Sequence, residues 1–319
     1  MMRNLKLRNL GLGNRCAQRA LFNAYKETVH SYASEAHAKS ATKRLVNYLN
    51  EKHAIKDLRH VKREHIIGFA KTLLEECDNE ELSVRTAKNY LSAINCAFAN
   101  ARLDEQLTVH PVKHAGFPTT SGVTKVDRSS TDKEHQLARS IVSPRLSTQM
   151  LLQRLFGLRF KESCLLNCYT ALQQALQKGY ITVEYGTKGG RPRTVSITSL
   201  EQVNALMEAT FYQRECSSLI PEHLSWAQYQ DRCYREIAPL ENYSFHSERH
   251  HFAQDRYHSL MGVECPVKLG MGITEHIEYL SKVKGVAFEQ VKQLDIEVRG
   301  IIAQDLGHNR VSITRSYLG

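Results

Sequence analysis

No apolar run in the 319-residue chain approaches the roughly 20 residues that a membrane-spanning helix needs. No apolar stretch of signal-peptide length follows the basic start Met1-Met2-Arg3-Asn4-Leu5-Lys6-Leu7-Arg8 either. The expectation is a cytoplasmic protein with no membrane partner. Paired Cys-x-x-Cys sets are also absent. Cys164 and Cys168 stand one helical turn apart without a second pair, so the eight cysteines are read as reduced, mostly buried thiols rather than zinc ligands or disulfides. Tryptophan occurs once, at Trp226, and there is no internal repeat or low-complexity tract. Acids are missing from residues 1–25, where Arg3, Lys6, Arg8, Arg15 and Arg19 alternate with leucines; this predicts a basic N-terminal arm lying on DNA or a neighbouring subunit.

What is present fits a folded protein of two domains: 24% charged and 42% hydrophobic residues. A net charge of +10 favours a polyanionic partner, because neutralising phosphates releases counterions. From 26 to 115 the apolar spacing is helical. Leu45, Val46 and Leu49 form one stripe, Ile66, Phe69, Ala70 and Leu73 a second, and Ala87, Leu91, Ile94 and Phe98 a third, with Ser83 as its N-cap. Lys62, Arg63, Arg85 and Lys88 lie near helix starts on the polar faces and are DNA-contact candidates. Residues 116–133, with Pro118, Gly122 and a run of Ser and Thr, read as a linker, and 134–319 as a second domain. Within it, Tyr180 to Tyr185 and Thr194 to Ile197 alternate as strands, predicting a hairpin with Lys188, Arg191 and Arg193 at its tip. The fold class is therefore mainly α with a small β-hairpin.

Several polar residues stand out along the second domain: Arg159 with Glu162 three on, Lys188, His246 with Arg249 and His250, and Leu306-Gly307-His308 followed nine residues later by Tyr317. His246 and His250, one turn apart, could ligate zinc, but the metalloprotease pattern wants Glu after the first His and Ser247 stands there. In order and spacing the set resembles the tyrosine recombinase (phage integrase) family. The resemblance implies a helical core-binding domain and a catalytic domain forming a C-shaped clamp around DNA, with no cofactor and no metal. It further implies site-specific recombination in which Tyr317 attacks phosphorus to give a 3′-phosphotyrosyl link.

Under that reading Arg159 and Arg249 clamp the non-bridging oxygens, whose charge grows as phosphorus becomes five-coordinate. His308 holds a phosphate oxygen, His246 serves as base, and Lys188 protonates the departing 5′-oxygen. Glu162 orients the site, His250 supports it, and Arg191 and Arg193 take phosphates. The implied partners are double-stranded DNA with specific sites, further copies of the chain in a tetrameric synapse, and an accessory directionality factor, at the nucleoid. Integration or excision of a mobile element is the expected role, with dimer resolution of chromosomes or plasmids and a catalytically silent DNA-binding protein as alternatives.

The sequence departs from the family pattern at three places. Glu248 puts an acid beside Arg249, where it is expected to pair with that arginine or a neighbouring cation. The stretch from His246 to His308 is long, which predicts an insertion at about 264–305 folding outside the active site. Tyr317 stands close to the C-terminal end, so the insertion is expected to replace the family's intersubunit tail or to make an element-specific contact.

Overall fold

The computed structural model describes residues 3–119, 122–241 and 243–319; Met1, Met2, Thr120, Ser121 and Asn242, the first four of which belong to the expected arm and linker, lie outside them. The chain divides into two compact units, Met1–Thr120 and Ser121–Gly319.

The first unit is helical: α1 (Ala17–Lys26), α2 (Tyr32–His53), α3 (Arg63–Asp78), α4 (Val84–Arg102) and the short α5 (Pro111–Ala115). The Ser83 side chain accepts a hydrogen bond from the Thr86 N–H at 3.1 Å and starts α4, as the capping pattern predicts. Leu45, Leu49, Ile66, Leu73, Leu91, Ile94 and Phe98 are buried together, so the three stripes meet in one core. The expected basic arm is a correction. Ala17, Ala20, Leu21 and Ala24 recur at helical spacing and are buried as the face of α1 that packs on α2 and α4. Arg3 donates to the Asn100 and Ala101 carbonyls and pairs with Glu27, so the segment is packed on this unit and is not a free arm, while Lys6, Arg8, Arg15 and Arg19 stay exposed.

The second unit begins its helices with α6 (Asp132–Ile141), capped reciprocally by Thr131 and Glu134. There follow α7 (Pro144–Phe156), α8 (Phe160–Leu165) and α9 (Cys168–Lys178). The hairpin joins β1 (Tyr180–Val183) and β2 (Arg193–Ser196), with Ile181 opposite Val195 and Val183 opposite Arg193. It is the sheet of the described residues. Then come α10 (Leu200–Gln213), α11 (Trp226–Ile237), α12 (Phe245–Met261), α13 (Pro266–Leu269), α14 (Ile273–Lys284), α15 (Phe288–Asp305) and α16 (Arg315–Leu318). The architecture is thus helical with one two-stranded sheet.

Residues 264–305 do not fold apart. Val291, Val298, Ile302 and Leu306 are buried in the same cluster as Leu158, Ile181, Val195, Phe252 and Tyr317. α15 packs on α12 and β2 through the apolar stripe Val291, Val298 and Ile302, which recurs at helical spacing. Cys164, Cys168, Cys233 and Cys265 are buried and free, and burial pushes the Cys168 thiol up to about 12. No described helix is long and apolar enough to cross a membrane, and no described cluster of His, Cys, Asp and Glu has the arrangement to hold a metal.

Candidate active site

The start of α12 is pinned from behind. Phe245 stacks on Phe160 with ring centroids 4.2 Å apart. Glu248, fully buried, accepts from Arg154 and from the Tyr243 hydroxyl, and pairs with the His135 ring, each at 2.8 Å. Burial alone would raise the Glu248 carboxyl, but His135 and Arg154 hold it below the ordinary carboxylate range. Glu248 therefore satisfies a cation on α7 and a histidine on α6 instead of pairing with Arg249. Successive helical residues point about 100° apart, so an acid adjacent in sequence faces another neighbour. With this side occupied, α12 presents His246, Arg249 and His250 on its other faces.

Arg249 is fully buried. Its Nη1 donates to the Gly157 carbonyl, its Nη2 to the Leu306 carbonyl, and its Nε to the Tyr317 hydroxyl at 3.3 Å, while His308 Nε2 lies 3.4 Å from Nη2. One guanidinium thereby joins the turn before Arg159, the turn before His308 and the tyrosine. Burial lowers its pKa to about 10, which still leaves it charged at neutrality. The expected open fork toward phosphate is largely spent on the protein.

Glu162 supplies the countercharge. It accepts from Arg159 Nη1 at 2.6 Å and from both Arg193 terminal nitrogens at 2.7 Å, and stands 3.9 Å from Arg249. Burial would push this carboxyl up; the hydrogen bonds and charge of Arg193, with Arg249 behind them, bring it down to about 2. Arg193 is a second correction. It opens β2, is 8% exposed and donates to the Asp305 carbonyl, so it braces Glu162 and is not presented at the hairpin tip. Gly307 explains itself in the same place: it sits at φ +69°, and a Cβ there would meet Arg193 Cδ at 2.7 Å.

Tyr317, 4% exposed, lies among three imidazoles: His250 at 4.8 Å between centroids, His246 and His308 at 5.8 Å. Burial, then the charge of His246 and Arg128, lowers His250 to about 4; burial, then Arg249, Arg159, Arg193 and Lys188, lowers His308 to about 4. His246 is lowered by the same kinds of cause. All three rings are neutral at pH 7 and can accept a proton or hydrogen bond. His251, on the opposite face, is held at about 4 chiefly by burial.

These histidines protonate near 6.5 in the unfolded chain and near 4 when folded, so the unfolded chain binds more protons between those values. Native stability is expected to be intact above pH 6.5 and to fall progressively as pH drops toward 4. Urea midpoints across that interval check this, and a flat midpoint contradicts it.

The structure thus gathers Arg159, Glu162, Arg249, His246, His250, His308 and Tyr317 around one point. Lys188 and Arg191 lie in the exposed hairpin turn, Lys188 close enough to depress His308. In the first unit Lys62, Arg63 and Arg85 are exposed, and Lys88 is half-buried; Arg63 donates to the Thr108 carbonyl and Lys88 to the Pro118 carbonyl. Sequence reasoning missed Arg154, which completes the Glu248 network, and Gln254, which donates to the Tyr317 carbonyl at 3.2 Å. Gln254 sits on the α12 face that carries His250, four residues on, which was the available signal.

Residues 121–255 match the family model described as integrase, a span that includes Arg159, Glu162, Lys188, Arg193, His246 and Arg249 and stops before His308 and Tyr317. The fold is similar to that of the Tn1549 transposon integrase, residues 82–397, in complex with a circular intermediate DNA: TM-score 0.56 at 13% identity over 96% of each chain. A second structure of that integrase gives 0.55 at 14% identity, over 94% of this chain and 95% of that one. A lambda integrase dimer bound to a COC′ core site gives 0.50 at 14% identity, over 87% and 76%. Comparison with curated proteins finds no match.

Proposed function

From a chain with the tyrosine recombinase fold, whose residues 121–255 carry the integrase family's pattern, we propose a site-specific DNA recombinase acting through a 3′-phosphotyrosyl intermediate. The observation that carries the reading is the contact of the buried Arg249 Nε with the Tyr317 hydroxyl, inside a ring of Arg159, His246 and His308. A phenol with an ordinary pKa of about 10 needs a base or positive field to react near neutrality, and this site supplies both.

Tyr317 Oη forms a bond to phosphorus as the bond to the 5′-oxygen breaks. The phenolic proton passes to the neutral His246 ring, and Lys188 on the hairpin turn returns a proton to the departing oxygen. Arg159 and His308 hold non-bridging oxygens, while Arg249 keeps their field next to the nucleophile. Reversal with a different 5′-hydroxyl rejoins the strands, without metal or nucleotide. That the Tn1549 integrase is a transposon protein bound to circular-intermediate DNA supports integration or excision of a mobile element. The lambda integrase dimer on its core site supports action by more than one copy.

The test is incubation with a nicked duplex carrying the DNA that flanks the chain's own gene, followed by denaturation and a search for covalently attached protein. A 3′-linked adduct with a free 5′-hydroxyl is expected, and its absence on every flanking sequence sinks the enzymatic reading. In the first unit, whose Lys62, Arg63, Arg85 and Lys88 are proposed DNA contacts, Arg85→Ala is expected to flatten the slope of log affinity against log salt by about 0.9. Binding isotherms at several salt concentrations check it; an unchanged slope removes Arg85 from the interface.

A further inference from the structure

α16 is a single turn of four residues, too short to hold its own geometry, so the position of Tyr317 depends on what ties its backbone. Three ties exist. Arg299 Nη1 donates to the Gly319 carbonyl at 3.0 Å, its Nε being paired with Asp295 at 2.7 Å. Thr124 N–H donates to the Arg315 carbonyl at 2.9 Å. Gln254, 1% exposed, uses one Nε2 to reach both the Tyr317 carbonyl at 3.2 Å and Asp127 Oδ1 at 2.8 Å. An amide NH2 has two hydrogens, and both are spent here.

Two of these ties end on the same extended stretch, 122–130, the first described residues of the second unit. That stretch is itself shaped by Asp127, which accepts from Ser129 N at 2.8 Å and Ser129 Oγ at 3.0 Å, and is joined to α12 where Ser130 N–H meets the Ser247 carbonyl. Arg128, next to Asp127, lies near enough to His246 and His250 to depress both. The strap therefore touches the nucleophile's backbone on one side and the field of its imidazoles on the other.

We propose that Asp127 and Gln254 are positioning residues: through one carboxylate–amide–carbonyl chain, the strap at 122–130 fixes the backbone of Tyr317 and so sets the reach of its hydroxyl. The inference rests on Tyr317 being the nucleophile. Asp127 is an exposed residue, so its replacement leaves the core intact. Asp127→Ala removes the acceptor, Asp127→Asn keeps an oxygen in place for Gln254 and Ser129, and Gln254→Met removes the amide at similar volume.

Two measurements on the full chain decide it: the single-turnover rate of adduct formation on a nicked duplex beside DNA affinity, and hydrogen exchange of the 315–319 amides. The expected result for Asp127→Ala and Gln254→Met is an adduct rate lowered about tenfold, with affinity held within roughly twofold, faster exchange at 315–319 and an unshifted thermal transition for Asp127→Ala. Asp127→Asn is expected to restore both rate and protection. Unchanged exchange in Asp127→Ala, a rate loss that follows affinity alone, or failure of Asp127→Asn to rescue would each overturn the proposal. A wild-type chain that forms no adduct sinks the nucleophile reading instead, and the exchange measurement still tests the tether.

Discussion

Tyr317→Phe is expected to abolish covalent attachment to DNA, a loss of at least about 10³-fold in adduct yield, while DNA affinity and the folded state are retained. The phenyl ring keeps its contacts with His250 and the other imidazoles, and only the hydroxyl facing Arg249 Nε is lost. The choice of this tyrosine over its neighbours follows from the charges they meet. Tyr257 on α12 is also buried and Tyr243 just before it is half-buried, but they donate to Asp295 and Glu248, and desolvation together with those carboxylates drives their pKa values well above the ordinary range. Tyr317 instead meets a guanidinium and neutral rings. The measurement is denaturing electrophoresis of protein incubated with labelled nicked duplex. Undiminished adduct in the Phe variant would move the nucleophile elsewhere and dissolve the role given to Arg249.

The helical stripes, the Ser83 cap, the hairpin and the set from Arg159 to Tyr317 were legible because each is local: period, turn chemistry, or motif spacing. What the sequence hid depends on which face a residue turns to and on partners far along the chain. Arg193 reads as one of three cations in a turn, yet alternation in β2 points it inward, where the buried Glu162 awaits it. Glu248 is expected to pair with Arg249 or a neighbouring cation, and only the direction in which the helix turns it selects Arg154, with His135 beside it. The basic stretch before residue 26 reads as an arm because charge dominates its composition; the small residues Ala17, Ala20 and Ala24, which let α1 approach α4 closely, carry little hydrophobic signal. Residues 264–305 read as an insertion because the stretch between His246 and His308 is long, whereas their burial in one cluster with Tyr317 makes them part of what holds that residue. A pairing such as Gln254 with Asp127 has no sequence signature, since a glutamine in a helix is ordinarily solvated.

Arg249→Lys is expected to fail almost as completely as Arg249→Ala, with adduct formation lowered about 10²- to 10³-fold in each, because the field beside the Tyr317 hydroxyl and the placement of the turns carrying Arg159 and His308 are lost together. Charge alone does not meet the demands on this position. The guanidinium satisfies the Gly157 and Leu306 carbonyls with separate nitrogens and still directs Nε to Tyr317, a planar distribution that a single ammonium cannot reproduce. Full burial already draws the arginine down to about 10; a lysine in that site begins lower, and the same desolvation moves it toward neutrality. Loss of the fork also leaves buried carbonyls unpaired at the turns that precede Arg159 and His308, costing about 1–3 kcal/mol for each. Both variants should therefore melt earlier than the wild type, and stability must be separated from chemistry by assaying well below the transition, where each remains folded. Under those conditions an Arg249→Lys chain with near wild-type cleavage would show that a point charge suffices and that the joining of the three turns is irrelevant to the reaction. Low activity in both, with DNA affinity preserved, is the outcome that follows from one side chain serving the geometry and the field together.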